Sequence, residues 1–430
     1  MRVLLLTGKG GVGKTTLAAA AAVHAARCGI KTLVLSTDAA HSLGDALGHP
    51  LPGDRPHELD GGLWAQQVDA SARLRQVWGG AQAYLLQLLH ALDVEPLDAA
   101  ELTMLPGADD LLTLLALQEQ AADGPWDLVV VDCAPTAETL RLLALPEALT
   151  RLVDRLLPAP RLLTRTLAPT LGRRSGVRAG LGAGLGAGLP APDRELGPAL
   201  LRLRTQLARA LEVVRAPTTS VRLVLTPEAV VLAEAQRTWT ALALHGLVVD
   251  GVVANRTIPA STDGASTDGW QAGWVRAQQA VLGEAVRSFA PLPVTTAPYL
   301  PSEPVGLRAL GDLGAAVWGP QQWGSGTPSC VLTPPPPAER LRVERRGEDF
   351  ELVLDLPLAR ADQVDLARRD DDLVVGVGGQ RRVVALPPVL RRCVVVDAVV
   401  RSGALRVRFT PDPDQWPTGA ASPAGQGAAR

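Results

Sequence analysis

Five apolar runs mark the first part of the chain, at 3–6, 32–35, 128–131, 221–225 and 248–254, and each is followed by a stretch with helical character. None alternates with polar residues. Unbroken apolar runs are what parallel strands carry when helices cover both faces of a sheet. The pattern predicts an α/β fold, a doubly wound and mostly parallel sheet, through about residue 320.

The pattern changes in 156–217, where strands give way to a helical insert containing the low-complexity run GLGAGLGAG at 180–188. Beyond that run, Leu196, Leu200, Leu203, Leu207, Leu211 and Val214 recur at helical spacing beside Arg202, Arg204 and Arg209. Two readings stand: a helix facing the core, or one lining a groove for an apolar client. Residues 321–338 form a Gly, Ser, Thr and Pro linker ending in four prolines. From 339 to 411, short alternating segments separated by Gly and charged turns predict a small all-β sandwich. The tail, 412–430, is expected to be disordered.

Charged residues make up 20% of the 430-residue chain and the net charge is −2, so no broad basic surface for nucleic acid is expected. No run approaches the roughly 20 apolar residues of a spanning helix, so no stable membrane insertion is expected. Cys28, Cys133, Cys330 and Cys393 are widely spaced and form no CxxC pair, which suits a reduced, cytoplasmic chain and gives no zinc or iron–sulfur spacing. The basic residues are nearly all arginine. Lysine occurs only at Lys9, Lys14 and Lys31, two of them within one nine-residue segment, where a compact ammonium is needed and a planar guanidinium would not fit.

That segment, 8–16, reads GKGGVGKTT directly after the first apolar run and before an alanine-rich helical stretch. Strand, glycine turn and helix stand in the order of a phosphate-binding loop. Gly8, Gly10, Gly11, Val12 and Gly13 would turn backbone N–H groups toward phosphate oxygens at a helix N-terminus. Lys14 would reach the β- and γ-phosphates, and Thr15, followed by Thr16, would ligate magnesium. ATP and Mg2+ are the expected cofactors.

With Lys9 added, the loop resembles the deviant Walker A family, which includes the ArsA-type arsenite-pump ATPases, the tail-anchored-protein targeting ATPase and the MinD/ParA partition ATPases. The resemblance implies an ATPase whose Lys9 crosses a homodimer interface to the partner's ATP. The string STDAAHSLGDAL at 36–47 resembles the first switch of the ArsA and targeting branch, with Ala39 in place of the usual proline. By that match Asp38 orients the attacking water and stands among the magnesium-site residues. Without the loop, Asp38 reads equally well as a helix cap.

The string DCAPTAETLRLLALP at 132–146 resembles the second switch and gives Asp132 magnesium through water. Cys133, Ala137 and Glu138 replace the family's threonine, glycine and histidine there, and Cys133 reads as a small buried residue. LPGADD at 105–110 is similar to a further family element. Asn255 stands where the family hydrogen-bonds adenine, and Pro298 opens PYLPSEPVG, similar to the loop over the base. These matches run in family order through residue 318.

The ArsA and targeting branch implies a dimeric switch that captures or delivers an apolar or membrane-protein client. Two alternatives are an ATPase subunit driving an arsenite or anion pump, and a slow-turnover regulatory or assembly factor. The pump's cysteine triad and the targeting ATPase's CxxC zinc site are both missing from the sequence. The two methionines, Met1 and Met104, leave any client groove to leucine. FELVLDLP at 350–357 and GALRVRF at 403–409 resemble the small-heat-shock or α-crystallin sandwich, which implies a chaperone-like or dimer-supporting module whose edge strands can pair with a partner.

Overall fold

The computed structural model describes residues 1–36, 42–51, 55–68, 108–133, 196–259, 270–319 and 341–414. They fall into two compact units: Met1–Ala235 with Val249–Pro336, and Gln236–Val248 with Pro337–Arg430. The linker 321–338, most of the insert, Asp38, and the tail from 415 on lie outside the described residues.

The first unit is built on eight strands in the order β3-β4-β2-β5-β1-β6-β7-β8. These are β1 (Arg2–Thr7), β2 (Thr32–Ser36), β3 (His57–Asp60), β4 (Leu63–Gln67), β5 (Leu128–Asp132), β6 (Thr219–Leu225), β7 (Val249–Thr257) and β8 (Val294–Pro298). Every neighbouring pair is parallel except the β3–β4 hairpin. Strands β1, β2, β5 and β6 are buried at every position, as their largely apolar runs require.

Among the described residues the helices that follow in chain order are α1 (Lys14–Arg27), α2 (Ser42–Leu47), α3 (Ala108–Asp123), α4 (Leu196–Arg215), α5 (Ala229–Leu244), α6 (Trp270–Phe289) and α7 (Gly306–Trp318), with the part of α5 from Gln236 on assigned to the second unit. The buried alanines of α1 let it lie close on β2, β5 and α7. Along α4, Leu207, Ala210 and Val214 are buried and the helix packs on α3 and β6. The core-facing reading therefore holds for these three positions.

The second unit contains a four-stranded antiparallel sheet, β14-β15-β10-β9, and a three-stranded one, β11-β12-β13. The strands are β9 (Leu341–Arg346), β10 (Asp349–Asp355), β11 (Val364–Arg369), β12 (Asp372–Val377), β13 (Gln380–Ala385), β14 (Cys393–Arg401) and β15 (Ala404–Pro411). Alternation places Leu352 and Leu354, Leu373 and Val375, and Leu405, Val407 and Phe409 in one core. This is the sandwich the alternating segments predict, with β9 and β11 added. Among the described residues no helix is long and apolar enough to cross a membrane.

Candidate nucleotide site

In a parallel sheet, the C-terminal strand edge is where ligands bind. Register brings the sequence-predicted residues to that edge. Leu6 of β1 lies opposite Asp132 at the end of β5, and Ser36 at the end of β2 lies opposite the same Asp132. The glycine loop follows Thr7 directly, and Asn255 stands near the end of β7. Pro298 ends β8 and is in register with Thr257, two residues beyond Asn255.

Two glycines fix the loop's path. A Cβ on Gly8 would overlap the Val224 carbonyl of β6, so only glycine passes there. Gly13 sits at φ 89°, in the left-handed region, at the N-cap of α1. No side chain caps α1 and its first turn holds no acidic residue, so the helix presents its N-terminal amides without a built-in carboxylate. Such a terminus favours an anion.

Lys14 is buried, and its Nζ donates to the Lys9 carbonyl at 3.2 Å, curling the ammonium over its own loop. Lys9 is half-buried, and Gly10 and Gly11 are exposed. Thr15 Oγ1 lies 3.3 Å from the Ser42 hydroxyl at the start of α2. Val12 and Thr16 flank this turn, Val12 with its side chain in the core.

Asp132 is buried, and its Oδ2 accepts from Ser36 Oγ at 2.9 Å. Ser36 is thus a site residue that the sequence reading passed over, although it opens the first-switch string. Cys133 follows, buried, with its amide bonded to the Leu6 carbonyl at 3.1 Å. Burial, with Asp132 alongside, pushes its thiol well above the usual range, so it stays protonated and inert. That agrees with a small buried residue.

Asn255 is buried at the loop rather than held away from it. Its Nδ2 donates to the Val12 carbonyl at 2.8 Å, and its Oδ1 accepts from the Arg256 amide at 2.9 Å. Asp38, Ala137 and Glu138 lie outside the described residues. Among the described residues no group of three or more His, Cys, Asp or Glu could hold a metal, and Cys28, Cys133 and Cys393 are free thiols.

The sequence profile of the anion-transporting ATPases, ArsA, matches residues 1–319, and that of an HSP20-like domain found in ArsA matches residues 347–409. An uncharacterized protein of Streptomyces coelicolor is 40% identical over 97% of this chain and 100% of its own length. A putative arsenical pump-driving ATPase of Chlorobaculum tepidum is 33% identical over 95% of this chain and 96% of its own. The ATPase get3 of Aspergillus terreus is 30% identical over 36% of this chain and 46% of its own. Glycine loop, strand-end carboxylate and matching relatives agree: the chain belongs to the ArsA family of P-loop ATPases and carries that family's HSP20-like domain at its C-terminal end.

Proposed function

We propose that the chain is a magnesium-dependent, homodimeric ATP switch that couples nucleotide state to the capture or delivery of an apolar or membrane-protein client in the cytoplasm. The observation that carries the nucleotide part is the convergence of the uncapped α1 N-terminus, Lys14, Thr15 and Asp132 at one strand edge. The donors Thr15 and Asp132, with Asp38 as the further carboxylate of the expected site, are hard oxygens, and so few protein ligands suit a cation that keeps waters and shares phosphate oxygens. Magnesium, when bound with ATP, would neutralise charge on the phosphoryl oxygens.

The chain's own groups divide the remaining work. The amides of 10–15 and Lys14 bind the phosphates, and Thr15 and Asp132 hold the cation, Asp132 through water and oriented by Ser36. Asp38 positions the attacking water. Lys9 crosses to the partner's γ-phosphate, where a cation supplied in trans raises turnover by about a thousandfold or more.

Support for a client comes from the resemblance of the switch strings at 36–47 and 132–146 to the targeting branch, and support for a pump-driving role from the Chlorobaculum tepidum protein's name. A metalloid site needs clustered thiolates. The free cysteines described are one exposed, Cys28, and two buried, which favours the client reading.

Mixing two inactive variants tests the trans lysine. Lys9→Ala should bind ATP without turning it over, and Asp38→Asn should do the same. Combined, they should regain turnover, because the Asp38→Asn subunit lends its lysine to a site with an intact Asp38. No recovery on mixing, or full activity of Lys9→Ala as a monomer, would overturn this reading.

A further inference from the structure

The second unit is made of two pieces of chain far apart in sequence: residues 236–248, which lie inside the stretch matching the ATPase profile, and the sandwich. From the contacts inside this unit we infer that the last two turns of α5 are a docking surface whose partner is the chain's own HSP20-like sandwich. The sandwich is then held by this seat as well as by the linker. The inference goes beyond the nucleotide reading above and does not depend on it.

Burial along α5 shows that its end is covered. Val230 and Arg237 are exposed, as on a helix with one face to solvent, whereas every residue from Thr238 to His245 is buried. A helix buried all round needs cover on all sides. Leu244 is fully buried and belongs to the sandwich core, together with Leu352, Leu373, Leu386 and Phe409. Thr240, one turn earlier on the same helix face, donates from its Oγ1 to the Pro357 carbonyl, just beyond β10, at 2.6 Å.

The helix terminus is closed from the sandwich as well. Gly246 takes φ 83° past the last turn; its amide bonds to the Ala243 carbonyl at 2.9 Å, and the Leu247 amide bonds to the Leu242 carbonyl at 3.0 Å. Such a glycine-terminated end satisfies two of the last carbonyls from within the chain. The Leu244 carbonyl instead accepts from Arg382 Nη1 of β13 at 2.7 Å. A cation there is also favoured by the negative end of the helix dipole. A Cβ on Gly246 would lie 3.3 Å from the same Nη1, so the guanidinium sits close against the turn. Core packing, a hydroxyl bond and a charge-assisted bond thus join the helix end to three parts of the sandwich.

A recognition site for a sequence-specific protease, set into the linker 321–338 of the full chain, tests the seat. After cleavage under native conditions the two fragments should elute together in size-exclusion chromatography, because the N-terminal one still carries 236–248. Thr240→Val combined with Arg382→Met removes both hydrogen bonds and leaves Leu244 in place. The dissociation constant of the cleaved fragments should then rise about thirtyfold. Leu244→Ala, which empties the seat of its apolar side chain, should raise it by at least as much and carries the comparison if the double variant fails to fold. Wild-type fragments that separate on cleavage would overturn the inference, and so would variant fragments that hold together as tightly as wild type.

Discussion

At the opposite end of the sheet from the glycine loop, one carboxylate ties three strands together. Asp250 on β7 accepts from Arg2 Nη2 at 2.8 Å, from Arg222 Nη2 at 2.8 Å and Nε at 3.1 Å, and from Ser220 Oγ at 2.7 Å. Both arginine–aspartate pairs are nearly sealed from water, with side-chain exposures of 5–6%. Burial lowers the Arg2 guanidinium's affinity for its proton, and Asp250 opposes that effect.

Asp250→Ala removes an acidic partner that these two buried arginines share, and breaking a buried pair from one side costs about 3–5 kcal/mol. For a unit of this size each kcal/mol moves the midpoint by roughly 2–4 °C, so the melting transition should fall by about 6–20 °C. Tryptophan fluorescence is a suitable reporter, since Trp64, Trp126, Trp274 and Trp318 all belong to the first unit. Asp250→Asn, which keeps an acceptor and loses the charge, should cost less. Because the network sits at the strand N-termini, MgATP affinity of the folded variant should not change. A shift below about 2 °C for Asp250→Ala would refute the reasoning.

Three other outcomes concern the helices, two of them from the packing of α1 on α7 and one from α6. A Cβ on Gly314 would lie 2.5 Å from the Ala20 carbonyl oxygen and 2.7 Å from His24 Cβ, so Gly314→Ala should cost about 1–3 kcal/mol in urea unfolding. Gly283→Ala, whose nearest neighbour is Arg287 Nη1 at 3.5 Å, should instead gain roughly 0.5–1 kcal/mol from helix propensity. His24 is buried on the same face, and burial, aided by Arg27, holds its imidazole below the usual value of 6.5. The unfolded chain then takes up the proton first, so this contribution to stability is complete above the unfolded value and is lost as pH falls below it. Urea titrations at neutral and mildly acid pH should show the loss in wild type and a smaller one in His24→Asn.

The central strands were legible because a strand buried on both faces is apolar along most of its length, as β1, β2, β5 and β6 are apart from paired or site residues such as Arg2, Arg222 and Asp132. The edges were not. β3 is His-Glu-Leu-Asp and mostly exposed, and β8 reads Val-Thr-Thr-Ala-Pro with only Ala297 buried, so neither carries an apolar run. In the sandwich, β9 and β11 are sheet edges whose charged residues conceal their alternation. Local pattern also could not place β1 between β5 and β6, because that pairing joins residues more than a hundred positions apart.

At the site, the loop was readable because its chemistry lies in one continuous segment. The Ser36–Asp132 bond joins two strands and the Asn255–Val12 bond joins a strand to the glycine loop, and only the register of the sheet brings these partners together. The sequence could place Asn255 at the end of a strand, but its partner in the loop emerged only from the fold.

Calorimetric titration of ATP in the presence of Mg2+ tests the central claim most directly. The account predicts one nucleotide bound per chain and no measurable binding to Lys14→Ala. A wild-type chain with no affinity for ATP, or a Lys14→Ala chain that binds as tightly as wild type, would contradict it.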